Sequence, residues 1–417
     1  MTVASLGGIV RTVHIVLGTL SLANPGGTES YCLTIARELD RLGHPVTLIA
    51  HDLGPLADRA AEGGFDVAHD SSELPATCDA VLANDAISVG LLGERYPDAR
   101  LVYCMHNTRH DWQQPPLAPS LIDAIVAPSE RFAAHACALA LDVPIIRLTQ
   151  PIDTERFAPS QPLRSPPRRA LMLGNYLDGR RRDALLETWT EAGLQCLQIG
   201  TGGHLAFDVR PYIAEADIVV GKARAALEGM ACGKAVYVFD AFGGDGWVRA
   251  ESYPALEADN FAGLATGRQI QRRDLTADLD GYDPDMGWVN RDLVLQHHDA
   301  RSHVQRLLEV LRGPAGRRRE SPSSHAAIAR SLRTTWRAQL RADAIAREAE
   351  RAVDAARAEA KRARDEASAR TAELDALRSR ALEAEQALQE ASQLIATRRV
   401  RAGLALGRCL DRIRGRA

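Results

Sequence analysis

The sequence predicts an α/β protein in which two doubly wound domains follow one another and lead into a long helical segment. Short apolar runs alternate with helical patterns along residues 12–239, and a proline-rich stretch breaks this alternation at residues 159–167. Strands that alternate with helices pair in parallel and carry helices on both faces of the sheet. Residues 337–396 contain no glycine, proline or aromatic residue, a composition typical of a long helix.

We place the first domain at residues 1–160. Its first helix is predicted at residues 28–42, because Cys32, Ile35 and Leu39 recur on one face and Gly43 follows as a helix-ending glycine. Six short apolar runs predict its strands, at residues 12–17, 46–50, 80–83, 100–104, 124–127 and 145–148.

We place the second domain at residues 161–330, after the proline-rich linker. Four apolar runs predict its strands, at residues 170–173, 195–199, 218–220 and 235–239. Helical patterns lie between them at residues 182–192 and 223–231.

The long helical segment is predicted at residues 336–396. About 60 helical residues would extend roughly 90 Å, at about 1.5 Å per residue. The segment is rich in Ala, Glu and Arg, and its apolar seam strengthens at Leu374, Leu377, Leu382, Leu388 and Leu394. This composition favours a helical hairpin or a homo-oligomeric coiled coil over an isolated helix.

Residues 397–417 form a basic amphipathic tail, with seven arginines against Asp411 alone. Such a helix suits an anionic membrane surface. It could equally be a solvated terminus or dock on the body of its own chain. The tail has no aromatic side chain to stack on bases, so we expect no nucleic-acid partner.

Composition narrows the class of protein. The net charge is −3, so the chain as a whole is not a binder of polyanions. Seven cysteines occur without a C-x-x-C pair, which favours reduced thiols and no zinc site. The first ten residues lack the basic start of a signal peptide, and no run approaches the ~20 apolar residues of a spanning helix. We expect a cytoplasmic protein, with peripheral contact at the inner membrane face if the tail binds lipid.

A glycine-containing loop connects the first predicted strand to the first helix. Gly26 and Gly27 let the backbone approach a ligand closely, and their N–H groups point from a helix N-terminus that favours an anion. A tight turn would need glycine as well. The spacing is not G-x-G-x-x-G, so the nicotinamide pattern is absent.

The order of several motifs resembles GT-B glycosyltransferases of the family 4 type, from about residue 11 to residue 265. GGTESYCLTIARELDRLGHPVTLIA resembles the opening of that family, and MHN and APSE follow at the ends of later strands. QPIDTERF is similar to the segment before the family's interdomain linker. ADIVVGKARAALEGMACGKAVYVFDAFGG resembles its donor-binding segment, which ends in LEAMACG-x-P-V.

The resemblance implies two Rossmann-like domains and transfer of a sugar from a UDP- or GDP-sugar to a glycan or lipid-linked acceptor, in bacterial surface polysaccharide synthesis. The nucleotide-sugar is the substrate, so no cofactor is expected. We expect no metal either. The chain has no D-x-D at a strand end, since Asp283 and Asp285 belong to an irregular, proline-containing stretch.

The resemblance also assigns residues. Glu228 matches the glutamate expected to accept from the donor ribose, and His106 matches a histidine near the transferred sugar. A carboxylate suits a vicinal diol because it offers two acceptor oxygens. A histidine at this position could assist proton movement. The remaining donor-side candidates are Gly26, Gly27, Arg180, Gly200, Thr201, Gly202, Lys222 and Arg224.

Each assignment has a structural alternative. Glu228 could serve only a salt bridge within its helix, residues 200–202 could be an ordinary turn, and Arg180 could belong to a solvated basic surface. Cations near a leaving diphosphate would stabilise its developing charge, which is the reason for including Arg180, Lys222 and Arg224.

Two positions depart from the family pattern. Val220 stands where the first glutamate of E-x7-E is expected, and Asn175 stands where an arginine usually follows the first strand of the second domain. These departures leave two functions open. One is an active transferase; the other is a catalytically inactive scaffold whose coiled coil organises a polysaccharide-synthesis complex.

Overall fold

The computed structural model describes residues 12–108, 110–116, 119–175, 177, 179–200, 204–240, 243–316 and 322–414. The described residues divide into two compact units, and the division in the chain falls between Trp336 and Arg337. Both sheets belong to the first unit, and the second is the continuation of the last helix.

The first sheet has seven parallel strands in the order β3-β2-β1-β4-β5-β6-β7. Its strands are β1 (Ile15–Leu22), β2 (Val46–Leu53), β3 (Asp66–Ala68), β4 (Ala80–Ala83), β5 (Arg100–Cys104), β6 (Ala124–Ala127) and β7 (Ile145–Arg147). The helices between them are α1 (Gly27–Arg41), α2 (Pro55–Glu62), α3 (Ala86–Arg95) and α4 (Glu130–Ala138). The strand order reverses direction between β1 and β4, which opens a crevice at their carboxyl ends.

The second sheet has five strands in the order β12-β11-β10-β8-β9. They are β8 (Arg169–Leu173), β9 (Gln195–Ile199), β10 (Ile218–Gly221), β11 (Ala235–Phe239) and β12 (Gly244–Trp247). β12 pairs antiparallel with β11, and the sequence did not predict it because GDGW contains no apolar run. The order reverses between β8 and β10, so a second crevice lies at their carboxyl ends.

The helices of the second half are α5 (Gly179–Glu191), α6 (Arg210–Glu215), α7 (Arg224–Ala231), α8 (Tyr253–Ala258), α9 (Arg272–Asp280), α10 (Met286–His297) and α11 (Ala300–Leu311). Alternate strand residues face opposite sides of each sheet, as the period of two requires. Leu171 belongs to the core on one side of the second sheet and Met172 to the core on the other. Each sheet is therefore covered on both faces, which confirms the predicted doubly wound architecture.

The chain crosses between the two sheets twice, and the crossings are hydrogen-bonded to each other. Ile152 N donates to His298 O at 2.7 Å, and Ala300 N donates to Ile152 O at 3.0 Å. After the second crossing, α11 buries Val304, Leu307 and Leu308 in the core of the first sheet. The end of the predicted second domain thus completes the packing of the first sheet.

The last helix, α12 (Pro322–Arg414), confirms the predicted long helix. It runs through residue 397 without interruption, so the alternative of a helical hairpin is wrong for this segment. Residues 350–399 of α12 are all exposed, and the coiled coil stays a prediction. Within the described part of the chain, no helix combines the length and the apolar character needed to cross a bilayer.

Candidate functional site

A cavity of about 620 Å³ lies between the carboxyl edges of the two sheets. Its walls come from the loops that follow β1 and β5 in the first sheet and β8, β9, β10 and β11 in the second. These edges flank the two points where strand order reverses, the positions at which open α/β sheets bind ligands. The topology therefore brings together segments as far apart in the chain as Pro25 and His303.

The loop after β1 delivers the N-terminus of α1 to this cavity. Gly26 and Gly27 line it, as does Glu29 in the first turn of the helix. The Glu29 carboxylate lies against the α-carbon of Gly26, where a Cβ would collide with Oε2. Burial raises the pKa of Glu29 to about 7, although a hydrogen bond from its own backbone N–H opposes the shift. The helix N-terminus is thus already in contact with an acidic side chain of the chain itself.

His106 follows β5 and lines the same cavity. Its Nε2 lies 2.7 Å from Asn84 Oδ1, and Asn84 Nδ2 donates to Gly18 O at 2.9 Å. Because that donation turns Oδ1 toward the histidine, Nε2 must carry the proton and Nδ1 is left as an acceptor. Burial, aided by the charge of Arg224, lowers the pKa of His106 to about 3. His106 is therefore neutral at physiological pH and can accept from a hydroxyl.

The turn from β10 to α7 forms the opposite wall. Lys222 and Ala223 line the cavity, and Lys222 is ion-paired with Asp240. Ala223 has φ +47°, a left-handed conformation that costs a non-glycine residue energy. Strained backbone of this kind concentrates at ligand sites. The turn directs the N-terminus of the eight-residue α7 toward the cavity, and a helix N-terminus favours an anion.

Arg224 and Glu228 form a buried pair on α7. Arg224 Nε donates to Glu228 Oε1 at 3.0 Å, Nη1 donates to Pro151 O at 3.1 Å, and Nη2 donates to Thr34 Oγ1 at 2.8 Å. Burial raises the pKa of Glu228 and lowers the pKa of Arg224, and the attraction between them opposes both shifts. Arg224 thus joins the second sheet to α1 of the first, while Glu228 lines the cavity beside it.

The three arginines at the start of α5 have different surroundings. Arg180 is exposed, and neither Arg180 nor Arg181 is among the residues that line the cavity. The guanidinium of Arg181 lies 5.1 Å from the centre of the Phe239 ring, which does line it. Nε and Nη2 of Arg181 are buried without a hydrogen-bond partner among the described residues. Arg182 donates to Gln198 Oε1 at 2.9 Å. Arg181 is therefore better placed for an anion than Arg180.

Gly200 lines the cavity after β9, and Thr201 and Gly202 lie outside the described residues. The φ of Gly200 is +115°, and a Cβ there would collide with Gly174 O at the end of β8. Only glycine fits such a close approach of two strand ends. This structural need accounts for the glycine by itself, so the role of Gly200 toward a nucleotide stays a prediction.

A histidine that sequence reasoning did not select also faces the site. His303 on α11 lines the cavity and is 6% exposed. Its Nδ1 lies 2.8 Å from Thr149 O and so carries the proton, whereas Nε2 has no hydrogen-bond partner among the described residues. Burial lowers the pKa of His303 to about 4. The cavity thus holds a second neutral imidazole with an available acceptor.

Of the predicted candidates, Gly26, Gly27, His106, Gly200, Lys222, Arg224 and Glu228 all line the one cavity. Glu29, His303 and Arg181 were not selected from the sequence. Glu29 belongs to the quoted GGTE segment. No local pattern could have found His303, which reaches the cavity through tertiary packing, or separated Arg181 from its neighbour Arg180. The described residues contain no group of three or more His, Cys, Asp or Glu side chains suited to a metal.

The arrangement can bind an elongated anionic ligand with a polar, uncharged end. Two helix N-termini and Lys222 would attract negative charge, and Glu228 offers carboxylate oxygens to hydroxyls. His106 and His303 supply neutral acceptors near the other wall. The fold and this cavity define the class: two facing α/β sheets with the ligand site between them.

Comparison with known proteins identifies this architecture. No family model matches the chain, and no curated protein matches it. A glycosyltransferase from Rickettsia africae ESF-5 superposes with a TM-score of 0.50 at 16% identity, over 72% of this chain and 98% of that one. The pneumococcal O-GlcNAc transferase GtfA, solved with UDP and GlcNAc, superposes with a TM-score of 0.51 at 9% identity, over 72% and 99%. The chain has the GT-B glycosyltransferase fold, followed by a long helix.

Proposed function

We propose that the chain is a glycosyltransferase that moves a sugar from a UDP- or GDP-sugar to a glycan or lipid-linked acceptor, in the synthesis of a bacterial surface polysaccharide. The observation that carries the proposal is the meeting of Glu228, Lys222 and the N-termini of α1 and α7 around one cavity. A sugar nucleotide carries the vicinal diol of its ribose on one side of the diphosphate and the transferred sugar on the other. A buried carboxylate suits the diol, and a cationic wall suits the diphosphate.

In this proposal, Glu228 accepts from the ribose hydroxyls while Arg224 holds it in position. Lys222, Arg181 and the helix N-termini stabilise the charge that develops on the diphosphate as the glycosidic bond breaks. His106 accepts from a hydroxyl of the transferred sugar through Nδ1. Gly26 and Gly27 allow the backbone to approach the diphosphate from the first sheet.

A thermal-shift titration with UDP and GDP tests donor binding, and release of nucleoside diphosphate from a panel of sugar nucleotides tests the reaction. We expect Glu228→Gln to weaken nucleotide binding about 30- to 100-fold, because a charged hydrogen bond contributes roughly 2–3 kcal/mol. The nucleotide-induced shift is the readout, so a lower baseline melting temperature does not confuse the result.

Glu257→Gln is the matched control. The Glu257 side chain is 12% exposed against 11% for Glu228, and it is paired with Arg147 at 2.5 Å but does not line the cavity. We expect it to change stability and leave nucleotide binding unchanged. A chain that responds to neither nucleotide and releases no product would refute the transferase and favour the inactive scaffold.

A further inference from the structure

The exposed surface of α12 carries a heptad repeat. Its apolar stripe and the charges beside that stripe together specify a partner. Positions a and d are apolar from Ala342 to Ala402 except at Arg370 and Arg398. The larger side chains of this stripe are Val353 near its amino end and Leu374, Leu377, Leu388 and Ile395 toward its carboxyl end. A hydrophobic repeat every 3.5 residues is what allows helices to supercoil around each other.

No part of the described chain packs against the stripe between residues 350 and 399. Every residue from 350 to 399 is exposed, and Leu374, Leu388 and Ile395 are 56%, 70% and 55% exposed. Since α12 is one uninterrupted helix, it does not fold back to cover itself. Charged residues flank the stripe from residue 350 to residue 385, and Gln386, Gln389, Glu390 and Gln393 flank it beyond that point. The segment therefore does not present the broad apolar face of a helix lying on lipid.

The charges beside the stripe match a second copy of the same helix. In a parallel pair, position g of one helix meets position e of the next heptad on its partner. In this chain those positions join Glu359 to Arg364, Glu373 to Arg378, and Arg380 to Glu385. No g–e pair between residues 345 and 399 brings like charges together.

The distribution of large residues favours the parallel, in-register arrangement. That register places Leu388 against Leu388 and Ile395 against Ile395 of the other copy. An antiparallel pair that overlaps along the whole repeat would place Leu388 against Ala356 and Ile395 against Ala349, burying less apolar surface. In this register the Arg370 side chains of the two copies face each other and repel. Glu366 and Glu373 on the same helix face can offset that repulsion.

We propose that residues 342–402 of α12 bind a second copy of this chain as a parallel, in-register, two-stranded coiled coil. The pair is held mainly by the layers from Leu374 to Ile395, with the alanine layers before them allowing close approach of the two helices. Dimerisation does not depend on sugar transfer, so it holds for an active enzyme and for a scaffold alike.

Three variants of the full chain test the charge pairing by sedimentation equilibrium. E359R/E373R/R380E reverses the g positions, and R364E/R378E/E385R reverses the e positions. Each alone puts like charges in every pair, and we expect dimerisation to weaken about 100-fold. The control R351E/D365R/D375R reverses three charges on the outer face and should dimerise like the unmodified chain.

The mixture of the two reversed variants is the decisive measurement. Each g charge of one then faces an opposite e charge of the other, so we expect a heterodimer as tight as the original homodimer. Restoration also shows that both variants remain helical. A mixture that stays monomeric, or an unmodified chain that is monomeric at tens of micromolar, overturns the proposal.

Direction is tested by disulfide formation in Leu388→Cys, with Ser379→Cys on the outer face as the matched control. The parallel register brings the two copies of residue 388 into contact, whereas the full antiparallel overlap separates them by about 48 Å along the axis. We expect a covalent dimer from Leu388→Cys alone. Equal cross-linking of both variants, or of neither, contradicts the parallel arrangement.

Discussion

Arg224 on α7 donates from Nη2 to the hydroxyl of Thr34 on α1, 2.8 Å away, and so connects the two sheets through a single buried guanidinium. The same group holds Glu228 and the carbonyl of Pro151. Helix α7 carries Glu228, the residue proposed to bind the ribose. It is therefore hydrogen-bonded directly to α1, the helix that begins at the Gly26–Gly27 loop. Arg224 therefore links the packing of the two sheets to the position of Glu228.

Arg224→Lys should lower the free energy of unfolding by about 2 kcal/mol, because a lysine cannot serve three acceptors in the planar geometry of a guanidinium. Thr34→Val should cost about 1–2 kcal/mol. Urea unfolding of both single variants and the double variant gives the coupling, which we expect to be about 1 kcal/mol. Additive losses would mean that the bond between the sheets contributes nothing measurable.

Donor binding should depend on pH through Glu29. Its pKa is about 7, so the carboxylate is neutral below that pH and charged above it. A charged Glu29 beside Gly26 would repel the diphosphate, and we expect the Kd for UDP to rise as pH increases from 6 to 8. Glu29→Gln should keep the low-pH affinity throughout. A pH profile that is the same in both chains would remove Glu29 from the site.

The same shift affects folding. The folded pKa of Glu29 lies above the ordinary value of 4.5, so the folded state holds its proton more tightly and loses stability as pH rises between the two values. Glu29→Gln should therefore be more stable than the unmodified chain at pH 8 and nearly equal to it at pH 4.5. Equal stabilities at pH 8 would contradict this.

Arg181→Met should weaken UDP binding several-fold more than Arg180→Met. The two residues are adjacent, but only Arg181 has buried N–H groups without partners beside a cavity-lining ring. Isothermal titration of both variants makes the comparison with the same chemical change at neighbouring positions. If Arg180→Met causes the larger loss, the assignment made from the sequence is right.

Acid should destabilise the crossings between the sheets through His298. Its ring contacts Gln150 O at 2.8 Å and the Tyr253 hydroxyl at 2.9 Å, and burial lowers its pKa to about 4. The unfolded chain takes up a proton near pH 6.5, so stability falls as pH drops from 6.5 toward 4, by up to about 1.4 kcal/mol per pH unit. Denaturant unfolding of His298→Asn should show a shallower pH slope. An unchanged slope would assign the acid sensitivity to the other buried histidines whose pKa is lowered, His44, His106 and His303.

The sequence by itself determined the alternation of strands and helices, because apolar periodicity reports which residues must face a core. It also determined the long helix, because a segment rich in alanine, glutamate and arginine and without glycine or proline favours a continuous helix. It placed most of the candidate residues in segments that line the cavity, because the carboxyl ends of parallel strands share one edge of the sheet. It did not predict β3 or β12, whose residues carry no apolar run, and it left open whether α12 is interrupted by a hairpin turn.

Only the tertiary structure decided what each candidate side chain contacts. Thr34 and Arg224 are 190 residues apart, and no local pattern relates them. The same holds for His303, which reaches the cavity because α11 returns to the first sheet, and for Arg181, whose orientation on α5 separates it from Arg180. Local periodicity fixes which elements form. The partner of a buried polar group depends on which elements packing brings together, and that is a property of the whole fold.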